Sequence, residues 1–210
     1  MAERYTLHED PRSGNCFKIA LTAALLGLPL ERRQYDIMAG ETRTEEFLAR
    51  VNSNGRIPVL QIDCEDGSTR FLPESNAACW YLADGSALIP DDRFERADML
   101  RWMFFEQYSH EPNVATLRFW LCFVGKDKLS DHQRAQLMPK HLAGEEALRV
   151  MNGHLATRDW FVGDSITLAD IALYPYTSAA AEGGFDLSSC DAVRAWIDRV
   201  EASKGAIAFD

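Results

Sequence analysis

The sequence predicts an α/β domain followed by an all-helical domain. Short strand and helix patterns alternate over about the first 85 residues, and helical periodicity alone continues from about residue 94. A chain of 210 residues is long enough for one large domain or two small ones with their own cores. We therefore expect an α/β domain at 1–85, a linker at 86–93 and a helical domain at 94–210.

The first domain is expected to have the element order βαβαββα. Alternating apolar residues indicate strands, and apolar residues three or four positions apart indicate helices. The turn sequence Glu65-Asp66-Gly67 lies between the last two strands and predicts a hairpin. In chain order the predicted elements are strand Tyr5–His8, a helix with its apolar stripe from Phe17 to Leu28, strand Arg33–Ile37, helix Glu45–Val51, strands Pro58–Ile62 and Thr69–Leu72, and helix Ser75–Ala83.

The second domain is predicted from apolar stripes at helical spacing. Pro112 is expected to kink or interrupt the first of these helices. The segment from Thr167 to Asp170 has the spacing of a capping box, with Asp in place of the usual Glu or Gln, and predicts a helix start. The stripes are Phe94, Ala97, Leu100, Met103 and Phe104, then Ala147, Leu148, Met151 and Leu155, then Ile171, Ala172 and Leu173, then Val193, Trp196, Ile197 and Val200.

Composition and charge narrow the class of partner. A net charge of -10 argues against nucleic acid, because phosphate binding needs a basic face. We find no window of about 18 apolar residues and no signal-peptide pattern, so we expect a cytoplasmic protein without a membrane contact. Five widely spaced cysteines without a C-x-x-C pair predict reduced thiols, with neither a disulfide framework nor a metal site.

The segment Ser13-Gly14-Asn15-Cys16 lies between the first strand and the first helix. A helix N-terminus offers unpaired N–H groups and the positive end of the helix dipole, and both favour a thiolate over a thiol. Ser13 and Asn15 could add hydrogen bonds to the same anion, although Asn15 is equally suited to cap the helix. The sequence therefore predicts a site for a reactive sulfur at this helix start.

Four motifs in register carry a resemblance to a known family. They are Ser13-Gly14-Asn15, Asn54-Gly55-Arg56-Ile57-Pro58-Val59-Leu60, Glu74-Ser75-Asn76-Ala77, and the segment Gly163–Asp170. The chain resembles the cytosolic glutathione transferases over essentially its whole length, and is most similar to bacterial theta, beta and nu-like members that work with Ser, Thr or Cys. The resemblance implies a thioredoxin-like domain followed by a helical domain, a homodimer, glutathione as co-substrate, no metal, and a role in detoxification.

The resemblance also assigns parts of glutathione to residues. Ser75, at a helix start, and Glu74 would bind the γ-glutamyl carboxylate and ammonium. Ile57, before a cis Pro58, would pair its backbone with the cysteinyl residue, although an X-Pro bond taken alone favours trans. Arg56 is the candidate for the glycine carboxylate. From the residues alone, Ser75 is also a helix cap and Arg56 also a solvated surface residue.

The remaining candidates for the glycine carboxylate and for the sulfur stay open in the sequence. Thr42 and Arg43 are weaker alternatives to Arg56. Ser13 is expected to donate its hydroxyl to the sulfur, and Asn15 its amide. Cys16 follows Ser13 at the spacing of a thioredoxin redox pair, so it is either a participating thiol or a small buried apolar residue.

The expected activity is attack of the glutathione thiolate on a small electrophile. By family analogy the electrophile binds between the two domains against the stretch Phe105–Glu111, with Tyr108 and His110 as contacts. Three alternatives remain: a glutathione-dependent disulfide-bond oxidoreductase of the nu-like kind, a non-catalytic glutathione-binding protein, and an isomerase or dehalogenase that uses glutathione as a true cofactor. The sequence does not identify the electrophile, because fold-level analogy does not supply a substrate.

Overall fold

The computed structural model describes residues 3–203 together with residues 207 and 209. These residues form two compact units, one of residues 3–89 with 207 and 209 and the other of residues 90–203. The Phe209 ring lies 5.1 Å from the Phe17 ring, within the first unit, although the sequence placed this residue in the segment 94–210. We therefore describe the contacts of each unit separately.

The first unit has the predicted element order and a four-stranded sheet. The strand order is β2-β1-β3-β4, in which β1 is parallel to β2, and β3 is antiparallel to both β1 and β4. This arrangement confirms the βαβαββα prediction and the hairpin. The elements are β1 (Arg4–Glu9), α1 (Gly14–Leu25), β2 (Leu30–Gln34), a 3-10 turn (Glu41–Arg43), α2 (Glu45–Arg50), β3 (Val59–Asp63), β4 (Thr69–Pro73) and α3 (Ser75–Ala83).

The two faces of the sheet differ in polarity. Leu7 and Leu60 are direct partners across β1 and β3, and both are fully buried on the face where α1 and α3 pack. The neighbouring positions His8 and Gln61 point the other way, because side chains alternate along a strand. There His8 Nδ1 lies 2.8 Å from the Tyr35 hydroxyl and His8 Nε2 lies 3.0 Å from Gln61 Oε1. The second face therefore carries a polar network beside α2 and a cavity of about 220 Å³.

The second strand begins and ends earlier than predicted. The sequence pattern gave Arg33–Ile37, whereas β2 spans Leu30–Gln34 and pairs Leu30 with Tyr5. Beyond this strand the Asp36 side chain accepts the N–H groups of Met38 and Ala39, at 2.9 and 3.3 Å. Because an Asp that bonds to the backbone two residues on forms a turn, the chain leaves the sheet at this point.

The second unit is helical, and among its described residues we find no strand. Its elements are α4 (Arg93–Phe105), a π-helical segment (Glu106–His110), α5 (Glu111–Arg118), a second π-helical segment (Phe119–Val124), a 3-10 turn (Lys126–Lys128), α6 (Asp131–Leu155), α7 (Leu168–Ser178), a 3-10 turn (Ala180–Gly183) and α8 (Asp191–Ser203). Within residues 3–203, no helix combines the length and the apolar character needed to cross a bilayer.

Helix α4 buries a face that shares Met103 with the predicted stripe but excludes Phe94 and Phe104. Phe94 and Phe104 were placed on the apolar stripe, but their side chains are 77% and 68% exposed. Met99, Trp102 and Met103 form the buried face, at the i, i+3, i+4 spacing of a helix. The large Trp102 ring decides the orientation, because it packs 4.6 Å from the Phe161 ring and leaves the two Phe residues on the outside.

The predicted interruption near Pro112 is present. Pro112 lies in the first turn of α5, where the missing N–H of proline is tolerated, and the π-helical segment Glu106–His110 precedes it. The later stripes are confirmed for α6 and α7. In α8 the side chains of Val193, Trp196 and Val200 are buried, while Ile197 is half-buried.

The predicted capping box starts α7 and is also part of the core. Thr167 accepts the N–H of Ala169, and the Asp170 carboxylate accepts the N–H and hydroxyl of Thr167, at 2.9 and 3.1 Å. Asp170 also accepts the Phe161 N–H and the Trp196 indole N–H, at 3.1 and 2.9 Å. Burial raises the pKa of Asp170 to about 6 against these donors. The cap therefore joins α7 to α8 and to the preceding loop.

Two glycines of α6 allow a matched test of packing. An added Cβ at Gly144 would meet the Phe185 ring at 2.5 Å, whereas at Gly153 it meets nothing within 4 Å. We expect Gly144→Ala to lower the free energy of unfolding by about 1–3 kcal/mol through overpacking. Gly153→Ala should raise it by about 0.5–1 kcal/mol, because Ala is the better helix former. Urea unfolding measures both, and equal effects at the two positions would contradict this packing.

Candidate active site

Ser13 stands at the junction between β1 and α1. It is the N-cap of α1 with extended backbone angles of φ -88° and ψ 118°. Its N–H donates to the Asp10 carbonyl at 2.9 Å, and its Oγ accepts the Cys16 N–H at 3.4 Å. Oγ is the acceptor in this long hydrogen bond, which does not use the hydroxyl proton. The half-buried Ser13 can therefore donate to an anion at the helix N-terminus.

Asn15 and Ser75 bring the starts of α1 and α3 together. The Ser75 hydroxyl donates to Asn15 Oδ1 over 3.3 Å, and the Ser75 side chain is buried. This bond directs the amide oxygen of Asn15 toward α3, so the amide nitrogen is the donor that this residue could offer to a thiolate. Two residues predicted for different parts of glutathione are thus neighbours in the structure.

Glu74 has an unusual backbone conformation. Its φ is 72° and its ψ is 111°, and it is the one residue other than glycine with positive φ in the described part of the chain. A side chain with a Cβ is strained at such angles, and such strain is concentrated at functional sites. Glu74 immediately precedes Ser75, the first residue of α3, and its own side chain is exposed. The angle turns the chain sharply between β4 and α3.

The segment before β3 carries the cis bond that the resemblance implies. The peptide bond between Ile57 and Pro58 is cis, and Pro58 is buried while Ile57 is half-buried. The neighbouring Arg56 is exposed, and its carbonyl accepts the Asn52 amide at 2.9 Å. The Asn52 side chain therefore holds the backbone of the turn that leads into β3.

The weaker candidates for the glycine carboxylate have structural contacts. Arg43 Nη1 donates to the Asn54 carbonyl at 3.0 Å, and Thr42 is buried. An added Cβ at Gly55 would meet Arg43 Nη1 at 2.7 Å and the Thr42 carbonyl at 3.0 Å, and the φ of Gly55 is +63°. Gly55 is therefore required for this close approach, and the Arg43 side chain helps to close the turn.

Cys16 lies inside the first unit. It is 1% exposed, and burial raises the pKa of its thiol to about 12. A thiol with this pKa is protonated at neutral pH and is a poor nucleophile. The structure therefore favours the alternative in which Cys16 is a small buried apolar residue. No disulfide joins the five cysteines, all of which lie in the described part of the chain.

Tyr108 and His110 share the π-helical segment but have opposite environments. The Tyr108 side chain is 86% exposed. His110 is fully buried, and its Nε2 lies 3.0 Å from the Thr177 hydroxyl, which itself donates to the Leu173 carbonyl at 2.7 Å. His110 Nε2–H is therefore the donor to Thr177. This placement supports a packing role for His110 and leaves Tyr108 as the accessible residue.

The structure also places charged side chains beside Ser13 that the sequence does not predict there. Asp10 and Arg12 lie three positions and one position before Ser13, and Arg12 bonds to both Asp10 and Asp36. The acidic and basic residues on either side of Pro11 were the available signal, but a pair two residues apart meets only when a turn brings it together. In the described part of the chain we find no cluster of His, Cys, Asp and Glu suited to a metal ion.

Comparison with known proteins identifies the family. Residues 12–84 match the family model for the N-terminal domain of glutathione S-transferase, and residues 114–204 match the model for its C-terminal domain. The chain belongs to the glutathione S-transferase family, with a thioredoxin-like N-terminal domain and a helical C-terminal domain.

Individual relatives cover nearly the whole chain. A crystal structure of a glutathione S-transferase from Pseudomonas fluorescens is 47% identical, with 94% of each chain covered and a TM-score of 0.85. The disulfide-bond oxidoreductase YfcG of Escherichia coli is 26% identical, over 90% of this chain and 86% of that protein. A glutathione transferase from Burkholderia graminis, solved with two glutathione molecules bound per subunit, is 25% identical. That match covers 97% of this chain and 88% of the other, with a TM-score of 0.79.

Glu74 offers a test that separates backbone strain from ligand binding. Glu74→Gly should raise the free energy of unfolding by about 0.5–1 kcal/mol, because glycine adopts positive φ without strain. Glu74→Ala keeps the strain and should leave stability near the native value. Both variants remove the carboxylate and should weaken glutathione binding about tenfold, as expected for one lost charged contact. Thermal unfolding and calorimetry measure the two effects, and native affinity in both variants would rule out Glu74 as a ligand.

Proposed function

We propose that this chain is a glutathione transferase in which Ser13 holds the glutathione sulfur as a thiolate for attack on a small electrophile. The observation that carries the proposal is the position of the Ser13 hydroxyl at the start of α1, where its Oγ accepts the Cys16 N–H. Membership of the glutathione S-transferase family supports the same conclusion.

The first unit supplies a candidate group for each part of glutathione. The Ser75 hydroxyl and the N–H groups at the start of α3 suit the γ-glutamyl carboxylate, and the Glu74 carboxylate suits the ammonium. The Ile57 backbone, before the cis bond, is the candidate partner for the cysteinyl backbone. Arg56 is exposed, and its guanidinium is our candidate for the glycine carboxylate. The bound structure from Burkholderia graminis supports glutathione as the ligand.

The energetics of one hydrogen bond are sufficient for activation. A free thiol has a pKa of about 8.5, so only a few per cent is ionised at pH 7. A charge-assisted hydrogen bond from Ser13, worth about 1.5–3 kcal/mol, lowers the thiol pKa by about 1–2 units. The dipole of α1 adds about 0.5–1 kcal/mol in the same direction, and Asn15 can contribute a second donor. The thiol proton passes to solvent, and the sulfur then forms a bond to the electrophile as the leaving group departs.

Disulfide-bond reduction is the second candidate activity. The relationship to YfcG favours it, and in this reaction the same Ser13-held thiolate would attack a disulfide sulfur. Cys16 does not supply the attacking thiolate in either case, because burial raises the pKa of its thiol to about 12. A second glutathione would then have to complete the reduction. The third candidate is a protein that binds glutathione at the same site but catalyses no reaction.

We also propose that the chain forms a homodimer and is cytoplasmic. The exposed apolar side chains of Phe94 and Phe104 on α4, and of Met138 and Leu142 on α6, suit burial against a second copy of the chain. We therefore propose a homodimer, which light scattering coupled to gel filtration measures. We propose a cytoplasmic location because no disulfide joins the described cysteines, which suits a reducing compartment. Tyr108 is the proposed contact for the electrophile.

Ser13→Ala should raise the pKa of the bound glutathione thiol. Removing the hydroxyl takes away the hydrogen bond to the thiolate, so we expect a rise of about 1–2 units. The ultraviolet absorbance of the thiolate, followed against pH with glutathione bound, measures this pKa. Ser13→Thr keeps a hydroxyl and should stay closer to the native value, and Ser68→Ala on the exposed β3–β4 turn is the control. An unchanged thiol pKa in Ser13→Ala would exclude Ser13 as the activating group.

The two candidate activities separate by substrate. We expect turnover with glutathione and an activated aryl halide, and assays with glutathione and a small disulfide test the alternative. Cys16→Ala should keep at least half of whichever activity the native chain has, since the buried thiol is protonated at neutral pH. Glutathione binding by calorimetry without turnover of either substrate would favour the non-catalytic alternative.

A further inference from the structure

The loop between β1 and α1 is fastened by the Arg12 side chain. Arg12 Nε donates to Asp10 Oδ1 at 2.8 Å, and Arg12 Nη2 donates to Asp10 Oδ2 at 2.5 Å and to Asp36 Oδ1 at 2.6 Å. Asp10 follows the last residue of β1, and Asp36 lies two residues beyond β2. One guanidinium therefore links the ends of two paired strands across the loop that leads to Ser13.

Asp10 is a fixed anchor for this contact. Its side chain is fully buried, and its carboxylate also accepts the backbone N–H groups of Arg12 and Ile37, at 3.0 and 3.2 Å. Burial by itself raises the pKa of the Asp10 carboxyl, but the hydrogen bonds from Arg12 and Ile37 outweigh burial and lower it. Asp10 is therefore ionised at neutral pH, and a buried carboxylate with these donors has little freedom to move.

The position of Ser13 depends on the same anchor. The Ser13 N–H donates to the Asp10 carbonyl at 2.9 Å, so the turn from Asp10 to Ser13 is closed through the backbone as well as through the side chain of Arg12. Ser13 directly follows Arg12 in the chain. A shift of the backbone at Arg12 would therefore move the backbone of Ser13, which carries the hydroxyl.

We propose that Arg12, held between Asp10 and Asp36, is a positioning residue that sets the direction of the Ser13 hydroxyl toward the glutathione sulfur. The inference rests on the proposed function of Ser13. Arg12 acts through Ser13 and not through contact with the substrate. Hydrogen-bond strength falls steeply when the angle departs from linearity, so a small rotation of Ser13 weakens stabilisation of the thiolate.

The charges of Arg12 and Asp36 allow positioning to be separated from direct electrostatics. Arg12→Ala removes a positive charge, so it raises the thiol pKa under either explanation. Asp36→Ala removes a negative charge, which by direct electrostatics lowers the pKa of a nearby thiol. Positioning predicts the opposite sign, because loss of Asp36 releases the Arg12 guanidinium on one side. Asp36 is therefore the decisive position.

The experiment measures the pKa of the bound glutathione thiol in the full chain, together with kcat and KM for the substrate that the native chain turns over. We expect a rise of about 1 unit for Arg12→Ala and about 0.5 unit for Asp36→Ala. Below the thiol pKa, kcat should fall about three- to tenfold while KM changes less than about twofold, since the binding groups are untouched. Arg12→Lys and Asp36→Asn keep a donor or an acceptor and should give smaller changes.

Arg32 provides a matched control. Its guanidinium bonds to both oxygens of Glu9, a fully buried carboxylate next to Asp10, at 2.6 and 2.5 Å, but it lies on β2 and away from the loop. Arg32→Ala removes the same kind of contact and should lower stability while the thiol pKa stays native. If Arg12→Ala does not fold, the Asp36 variants still decide, because Asp36 is half-exposed and its loss leaves no buried carboxylate unpaired.

The outcomes distinguish this inference from the proposed function. An unchanged thiol pKa in Ser13→Ala would remove the proposed function itself. A raised pKa in Ser13→Ala, with an unchanged or lowered pKa in Asp36→Ala, would overturn only the role of Arg12. An equal rise in Arg32→Ala and Arg12→Ala would also overturn it, because it would indicate general loosening of β1. In a Ser13→Ala background, Asp36→Ala should produce no further rise.

Discussion

The candidate site depends on how the chain passes from β1 to α1. A helix start leaves N–H groups without partners inside the helix, and these groups together with the helix dipole attract an anion. In this chain the cap at that start is Ser13, whose hydroxyl is the acceptor for only a long hydrogen bond from Cys16. The cap therefore uses the oxygen of the hydroxyl and not its proton. The contact between Asn15 and Ser75 extends the same polar region to α3.

Buried carboxylates in the two units show opposite solutions to one problem. A carboxylate removed from water must be neutralised or must collect donors. Asp10 is paired with the Arg12 guanidinium, and its pKa is lowered. Asp170 collects backbone, hydroxyl and indole donors without a cation, and burial raises its pKa to about 6. The cation makes the difference in sign, so the anchor below Ser13 keeps its charge through acid conditions that would protonate Asp170.

Much of the fold could be predicted from the sequence because its signals are local. The helix Ser75–Ala83, the hairpin and the capping box at Thr167 each depend on residues a few positions apart. The errors arose where a distant contact decides. The packing of Trp102 on Phe161 turns α4 so that Phe94 faces outward. In the candidate site, the motif predicts roles for Ser13 and Asn15, but the link from Arg12 to Asp36 spans 24 positions and carries no local pattern.

Ser13 and Cys16 share one helix end, and their chemistry differs because their burial differs. The dipole of a helix stabilises an anion in the first turn by about 0.3–1 kcal/mol. Removal of a thiol from water shifts its pKa by several units, each worth about 1.4 kcal/mol, in the opposite direction. Burial therefore outweighs the dipole at Cys16, and the pKa of its thiol is raised to about 12. Under the proposed function, the same dipole would act on a ligand sulfur beside the half-buried Ser13 without that desolvation. In that proposal the reactive sulfur therefore belongs to the ligand and not to the chain.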